Sequence, residues 1–164
     1  MTQPATATQH DVSVKDAAPT TVLATRRTVA MEQLGATIGG TFGELYGYIG
    51  GVGVQPAGPP FVIYHARLED GARWDVELCA PVPQRVEPPP GFECRVLSGG
   101  RVATTLHHGP YEGLAAAYDA IARWVEEQGL ALGGPPRETY LSEPGTPPEE
   151  IRTLIEWPLA EPVG

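Results

Sequence analysis

The sequence predicts an α+β fold built from a duplicated β-α-β-β unit, with two helices on one face of an antiparallel sheet. Three observations carry that expectation. Strand-like and helix-like hydrophobic periods follow one another in the same order in two halves, about 20–83 and 91–164. Each half holds one long helical stretch, and the proline-rich run Pro83–Gly91 connects them. Two such units related by a pseudo-two-fold axis leave a groove between them, a favoured place for a ligand.

Residues 1–19, rich in Ala, Thr and Gln without periodicity, read as a disordered tail. Thr21–Ala30 is β-branched and half polar, a strand. Leu34, Ile38, Phe42, Leu45 and Ile49 then recur at helical steps on one face. Gly39, Gly40, Gly43 and Gly47 weaken that helix, but small residues also let something pack closely against it. After the turn Pro56–Pro60, Phe61–Leu68 reads as a strand, and Asp70-Gly71 as a tight hairpin turn. The returning strand alternates, with Trp74, Val76, Leu78, Ala80 and Val82 on one face and Asp75 and Glu77 on the other.

In the second half Phe92–Leu97 and Arg101–His108 read as strands around Ser98-Gly99-Gly100. A helix follows from about Tyr111 to Gln128, with Leu114, Tyr118, Ile121 and Val125 in its apolar stripe and Gly129 as the residue that ends it. The turn Gly133–Pro136 leads to a short strand, RETYLSE. The turn Pro144–Pro148 leads to the last strand, Ile151–Leu159.

Charge and motifs narrow the function. A formal charge of −9, with Arg26-Arg27 the one adjacent basic pair, points away from direct nucleic-acid binding and suits a cationic partner. No apolar run reaches the roughly 18 residues that span a bilayer, and Met1–Ala18 lacks the pattern of a signal peptide, so a cytoplasmic protein is expected. Cys79 and Cys94 are expected as free thiols. His107-His108 point to opposite faces of a strand and have no third ligand spaced to help, so no metal is expected; His107 reads as a hydrogen-bonding residue. With no P-loop, GxSxG or GxGxxG, no cofactor is expected either.

Four segments together carry a resemblance: Gly58-Pro59-Pro60-Phe61 with Tyr64-His65; Gly100-Arg101-Val102-Ala103; His107-His108-Gly109-Pro110-Tyr111; and Gly134-Pro135-Pro136-Arg137-Glu138-Thr139-Tyr140-Leu141. In order and spacing the chain resembles the GyrI-like small-molecule-binding domain, the effector-binding half of AraC- and MerR-type multidrug-responsive regulators, from roughly Thr20 to Val163. The resemblance implies two β-α-β-β units and a buried glutamate on the strand after the second helix, at a pocket floor that receives cationic aromatic drugs. Glu138 is the matching position. It implies aromatic walls, for which Phe42, Tyr46, Tyr64 and Tyr111 match best. Regulators of the family carry a helix-turn-helix domain ahead of this one; about twenty residues stand there here, which points away from direct transcriptional control.

The residues themselves leave Glu138 two readings. It can be a solvated strand glutamate opposite Arg137 or Arg152, or a carboxylate in an apolar groove that a delocalised cation neutralises. Tyr140 falls on its side of the strand by the two-residue period. Trp74, Trp124 and Trp157 read as structural. Two functions follow for this set. One is binding or sequestration of lipophilic, aromatic, cationic small molecules. The alternative, also implied by the resemblance, is hydrolysis of cyclopropane-bearing, DNA-alkylating natural products with Glu138 as general base and Tyr140 or Tyr111 as hydrogen-bonding partner. A protein partner, inhibited by surface contact, is a third possibility within the family.

Overall fold

A computed structural model describes residues 10–68, 73–143 and 145–160. The expected Asp70-Gly71 turn lies outside the described residues, as do the first nine residues of the expected tail and the last four of the chain. The strands are β1 Ser13–Ala17, β2 Thr20–Ala30, β3 Phe61–Arg67, β4 Arg73–Pro81, β5 Glu93–Leu97, β6 Gly100–His108, β7 Arg137–Tyr140 and β8 Arg152–Pro158. The helices are α1 Leu34–Gly51 and α2 Leu114–Glu127, each entered through a short 3-10 turn, Met31–Gln33 and Tyr111–Gly113. All pairings are antiparallel, in one sheet ordered β1-β6-β8-β7-β3-β4-β2-β5.

The duplication is present, with each half β-β-α-β-β: β5 falls within the expected strand Phe92–Leu97, and β1 is its unexpected counterpart in the first half. This corrects the expected tail, because Ser13–Ala17 is a strand. β1, β2, the 3-10 turn and α1 begin near positions whose counterparts in the second half lie about eighty residues on: Ser13 and Glu93, Thr20 and Gly100, Met31 and Tyr111, Leu34 and Leu114. The first strands are exchanged. β1 pairs with β6 of the other half, and β5 returns the contact by pairing with β2.

That exchange forces curvature. β5 is one edge of the sheet, yet only Ser98-Gly99 separate it from β6, next to the other edge. The sheet must therefore curl until its edges approach. Gly99 sits where they meet: a Cβ there would lie 2.3 Å from the Ala17 carbonyl oxygen, far inside contact distance. At the end of α2, Gly129 takes the left-handed φ of 71° expected of a helix-ending glycine.

Both helices cover one face of the sheet. Leu45 and Ile49 of α1 pack with Leu23 and Ala80, while Ala117, Ile121 and Val125 of α2 pack with Ala103 and Ile155. The opposite face lines the inside of the curl, where Val22, Ala24, Phe61, Ile63 and Cys79 are buried. For that reason Glu77, on the polar face of β4, is not solvated. Glu77 is 2% exposed and held by His65 Nε2 at 2.8 Å and by both Nε and Nη2 of Arg95. Glu156 is buried on the same face, bonded by Arg137 Nε at 3.0 Å and paired with Lys15 at 2.8 Å. Cys79 and Cys94 are free thiols, the first buried. No helix among the described residues is long and apolar enough to cross a membrane.

Candidate functional site

Each apolar helix stripe divides along its length. Towards the C-terminal end it is core: Leu45 and Ile49 in α1, Ile121 and Val125 in α2, all buried. Towards the N-terminal end the two helices leave a groove over the middle of the sheet. There Leu34, Ile38 and Phe42 face Leu114 and Tyr118 across a cavity of about 1580 Å³. Strands β3 and β7 form its floor.

The floor is the centre of the duplication. β3 and β7 are equivalent strands paired with each other, and the register sets Val62 opposite Glu138. Antiparallel partners share a sheet face, so Val62 and Glu138 both look towards the helices, next to the pseudo-two-fold axis. One half supplies an apolar residue at that position and the other a carboxylate. Tyr64 and Tyr140, two residues further along each strand, meet hydroxyl to hydroxyl at 2.9 Å.

Glu138 is 6% exposed. Its Oε2 accepts a hydrogen bond of 2.6 Å from the Tyr118 hydroxyl, and its Oε1 one of 2.9 Å from Tyr140. Because Tyr140 spends its single proton on Glu138, Tyr64 must be the donor between the two tyrosines. Burial raises the Glu138 carboxyl above the ordinary range, and the phenols of Tyr118, Tyr140 and Tyr64 pull it part of the way back. Burial and the neighbouring carboxylate hold Tyr64 and Tyr118 well above the usual phenol value; burial, with Tyr64 and Glu138 beside it, does the same for Tyr140. Burial alone pushes Tyr46 up to about 12. These phenols are therefore neutral hydrogen-bonding groups at neutral pH.

All six residues singled out from the sequence (Phe42, Tyr46, Tyr64, Tyr111, Glu138 and Tyr140) line this one cavity. Tyr111, 52% exposed, stands at its rim and meets Tyr140 edge-on, with ring centroids 6.2 Å apart. The solvated alternative for Glu138 is overturned: Arg137 points to the opposite face and bonds Glu156, and Arg152 is exposed. Two tryptophans expected as structural also line the cavity. Trp74 packs edge-on to Tyr64 and Trp157 edge-on to Tyr118, each with centroids 5.5 Å apart. Trp124 packs at the margin of the α2 core.

Tyr118 is the residue that sequence reasoning missed, having read it as part of an apolar stripe. The available signal was its hydroxyl, since a phenol in a helix stripe one turn after Leu114 needs a partner when covered. His107, 3% exposed, hydrogen-bonds the Pro110 carbonyl through Nε2 at 2.9 Å, which leaves Nδ1 to accept from His10 at 3.1 Å. Among the described residues no group of three His, Cys, Asp or Glu side chains is placed to hold a metal.

A neutral aromatic cavity with one carboxylate at its floor can take an apolar ligand and neutralise a single positive charge. Similarity to known proteins agrees with a binding fold. The crystal structure of the EcmrR C-terminal domain superposes with a TM-score of 0.78 at 24% identity, over 94% of this chain and 99% of that one. EcmrR in its complex with DNA gives 0.79 at 24% identity, over 92% of this chain but only 57% of the EcmrR chain. SAV2435 bound to tetraphenylphosphonium gives 0.59 at 15% identity, over 92% and 94%. Identities this low speak for the fold alone. No curated protein sequence matches the chain. The GyrI-like profile, described as a small molecule binding domain, matches residues 10–160, the full span of the described residues, and the chain belongs to that family.

Proposed function

We propose that the protein binds lipophilic aromatic cations in this groove, with Glu138 as the counter-charge. The observation that carries the reading is the Glu138 carboxylate, 6% exposed at the floor of an aromatic cavity and, among the described residues, hydrogen-bonded by the neutral phenols of Tyr118 and Tyr140. Isolated burial of a carboxylate is unfavourable, and two phenol donors offset only part of it. A delocalised cation removes the remainder without demanding directional bonds. Stacked faces add cation–π attraction of about 0.5–2 kcal/mol each. The chain's charge of −9 draws cations towards the site. A reducing cytoplasm, where sequestration of such compounds would take place, suits the two free thiols.

Tetraphenylphosphonium, bound by SAV2435, and a rhodamine dye are the first probes. Fluorescence titration is expected to show saturable micromolar binding of the dye and its displacement by tetraphenylphosphonium. The affinity should weaken as pH falls, because the ionised carboxylate is the binding form and its raised value places the loss above the ordinary glutamate range. Failure of both probes to bind would overturn the reading.

A hydrolytic function rests on a different property of the same group, namely that burial raises the Glu138 carboxyl towards the range of a general base. In that reaction Glu138 takes a proton from water, the water oxygen bonds to a strained cyclopropane carbon as the ring C–C bond opens, and the proton on Glu138 passes to the atom that receives that bond's electron pair, with Tyr140 or Tyr111 as hydrogen-bonding partner. Incubating a cyclopropane-bearing alkylating compound with the folded protein separates the two readings. The ring-opened, hydrated product supports turnover, and quantitative recovery of the compound leaves binding alone.

A further inference from the structure

The inside of the curl holds a second cavity, of about 280 Å³, on the face of the sheet away from the helices. His65, Arg95, Arg101 and Arg137 border it, and no carboxylate among the described residues does. Three of the chain's 11 basic residues thus meet at one small space, in a protein of charge −9.

Strand pairing places the two central arginines. Ile63 stands opposite Arg137 on β7 and opposite Glu77 on β4. Paired strands lie about 4.8 Å apart, so Arg137 and the Glu77–Arg95 pair flank Ile63 from its two sides. Each guanidinium is fixed from behind and incompletely used. Glu77 takes protons from Nε and Nη2 of Arg95, which leaves Nη1 over among the described residues. Glu156 takes the Nε proton of Arg137, which leaves both Nη atoms over in the same sense. Arg137 also lies over the Phe61 ring, 5.0 Å from its centroid.

Positive charge is left over as well. Glu156 is already met by Lys15 at 2.8 Å, and Glu77 by His65 at 2.8 Å. Glu93, 3.7 Å from Arg95, has a side chain 65% exposed, where water screens it. Arg101 stands opposite Asp16 on β1, and those two offset each other.

We infer that this cavity is an oxyanion site. A carboxylate or phosphate head sits between Arg95 and Arg137 over Ile63, with a compact apolar body against Leu97, Val102 and Pro158. Planar guanidinium forks held in one orientation suit the paired oxygens of such a head. The volume lies below the roughly 300–1,000 Å³ of pockets for drug-sized ligands, so the ligand is small. Arg137 and Glu138 are neighbours on β7 and look to opposite faces, so this site is separate from the aromatic groove and independent of the cation reading.

Titration calorimetry at fixed ionic strength with phenyl phosphate, benzoate and inorganic phosphate tests the site. Saturable binding of phenyl phosphate or benzoate, millimolar or tighter, is expected of the wild type. Arg137→Lys keeps the charge beside Glu156 and loses the fork, and is expected to weaken the tighter ring probe at least threefold. Arg137→Met with Glu156→Gln removes the pair without stranding a buried charge, and is expected to weaken it at least tenfold. Should that double variant not fold, Arg137→Lys decides. Arg123→Ala, on the exposed side of α2, and Glu138→Gln should stay within twofold of the wild type. No binding of either ring probe, or unchanged affinity in the Arg137 variants, overturns the site. Equal loss in Arg123→Ala overturns it too, since that reports attraction to overall charge. Equal loss in Glu138→Gln overturns its separation from the groove. The tighter of the two ring probes identifies the head as phosphate or carboxylate. Inorganic phosphate binding as tightly as phenyl phosphate overturns the apolar half of the assignment.

Discussion

Glu138→Gln is expected to weaken tetraphenylphosphonium at least tenfold near pH 8, about 1.4 kcal/mol, while raising the melting temperature of the empty protein by a few degrees. The two effects have one cause. Glutamine keeps the shape of the side chain and its capacity to hydrogen-bond Tyr118 and Tyr140, but carries no charge. The ligand loses its counter-ion, and the empty fold no longer buries an anion.

The pH dependence follows from the direction of the shift. Glu138 has a raised value in the folded protein, so folding favours its protonated form. That contribution is complete below about 4.5, the value of an unfolded glutamate, and is lost as pH rises through the raised folded value. The stability gained by Glu138→Gln should accordingly be present at pH 8 and shrink towards pH 4. Melting curves at the two pH values, with titrations at pH 8, measure both. Equal affinity in mutant and wild type would remove Glu138 from the binding site. A mutant less stable at pH 8 would mean that the two phenols more than compensate the buried charge.

Arg95→Ala acts on the opposite face of the sheet with the opposite sign. Glu77 is 2% exposed and takes two hydrogen bonds from the Arg95 guanidinium, with His65 as its other partner. Glu77 is buried but the Arg95 side chain is 38% exposed, so removing Arg95 costs about 1–3 kcal/mol, a fall of roughly 2–12 °C in melting temperature for a chain of this size. Burial by itself raises the Glu77 carboxyl, but the hydrogen bonds from Arg95 and His65 outweigh it and hold the group below its ordinary value. Its stabilisation is therefore present above about 4.5 and lost as pH falls through the lowered value. Arg95→Ala should lose most near neutrality and little in acid. Replacing the pair together, as Glu77→Gln with Arg95→Met, should recover much of the loss, because no buried charge is left unpaired. Arg95→Ala melting like the wild type near neutrality would show that His65 alone satisfies Glu77.

Much of this architecture was legible in the chain itself. The helix stripes Leu34–Ile49 and Leu114–Val125, the alternation along Trp74–Val82 and the glycine that ends α2 are local patterns, and the folded elements follow them. Likewise Glu138 and Tyr140 share a face because strand side chains alternate with a period of two. The duplication was visible too, since both halves repeat the same order of periods.

Other features depend on partners that no local pattern names. Ser13–Ala17 has too little apolar character to announce a strand, and it becomes one by pairing with β6, about ninety residues away. Glu77 and Glu156 look like surface charges until the curl of the sheet encloses their face. The assignment of Arg137 to Glu156, and of Tyr118 to Glu138, rests on registers and packing between separate elements. By itself the sequence determined which residues form strands and helices and which side of each is apolar, because those properties repeat within a few residues. Only the tertiary structure decided that Glu138 lies opposite Val62 beside the pseudo-symmetry axis, under three tyrosines and beside a glycine-rich helix. Those neighbours come from four different elements, and their meeting is set by long-range pairing.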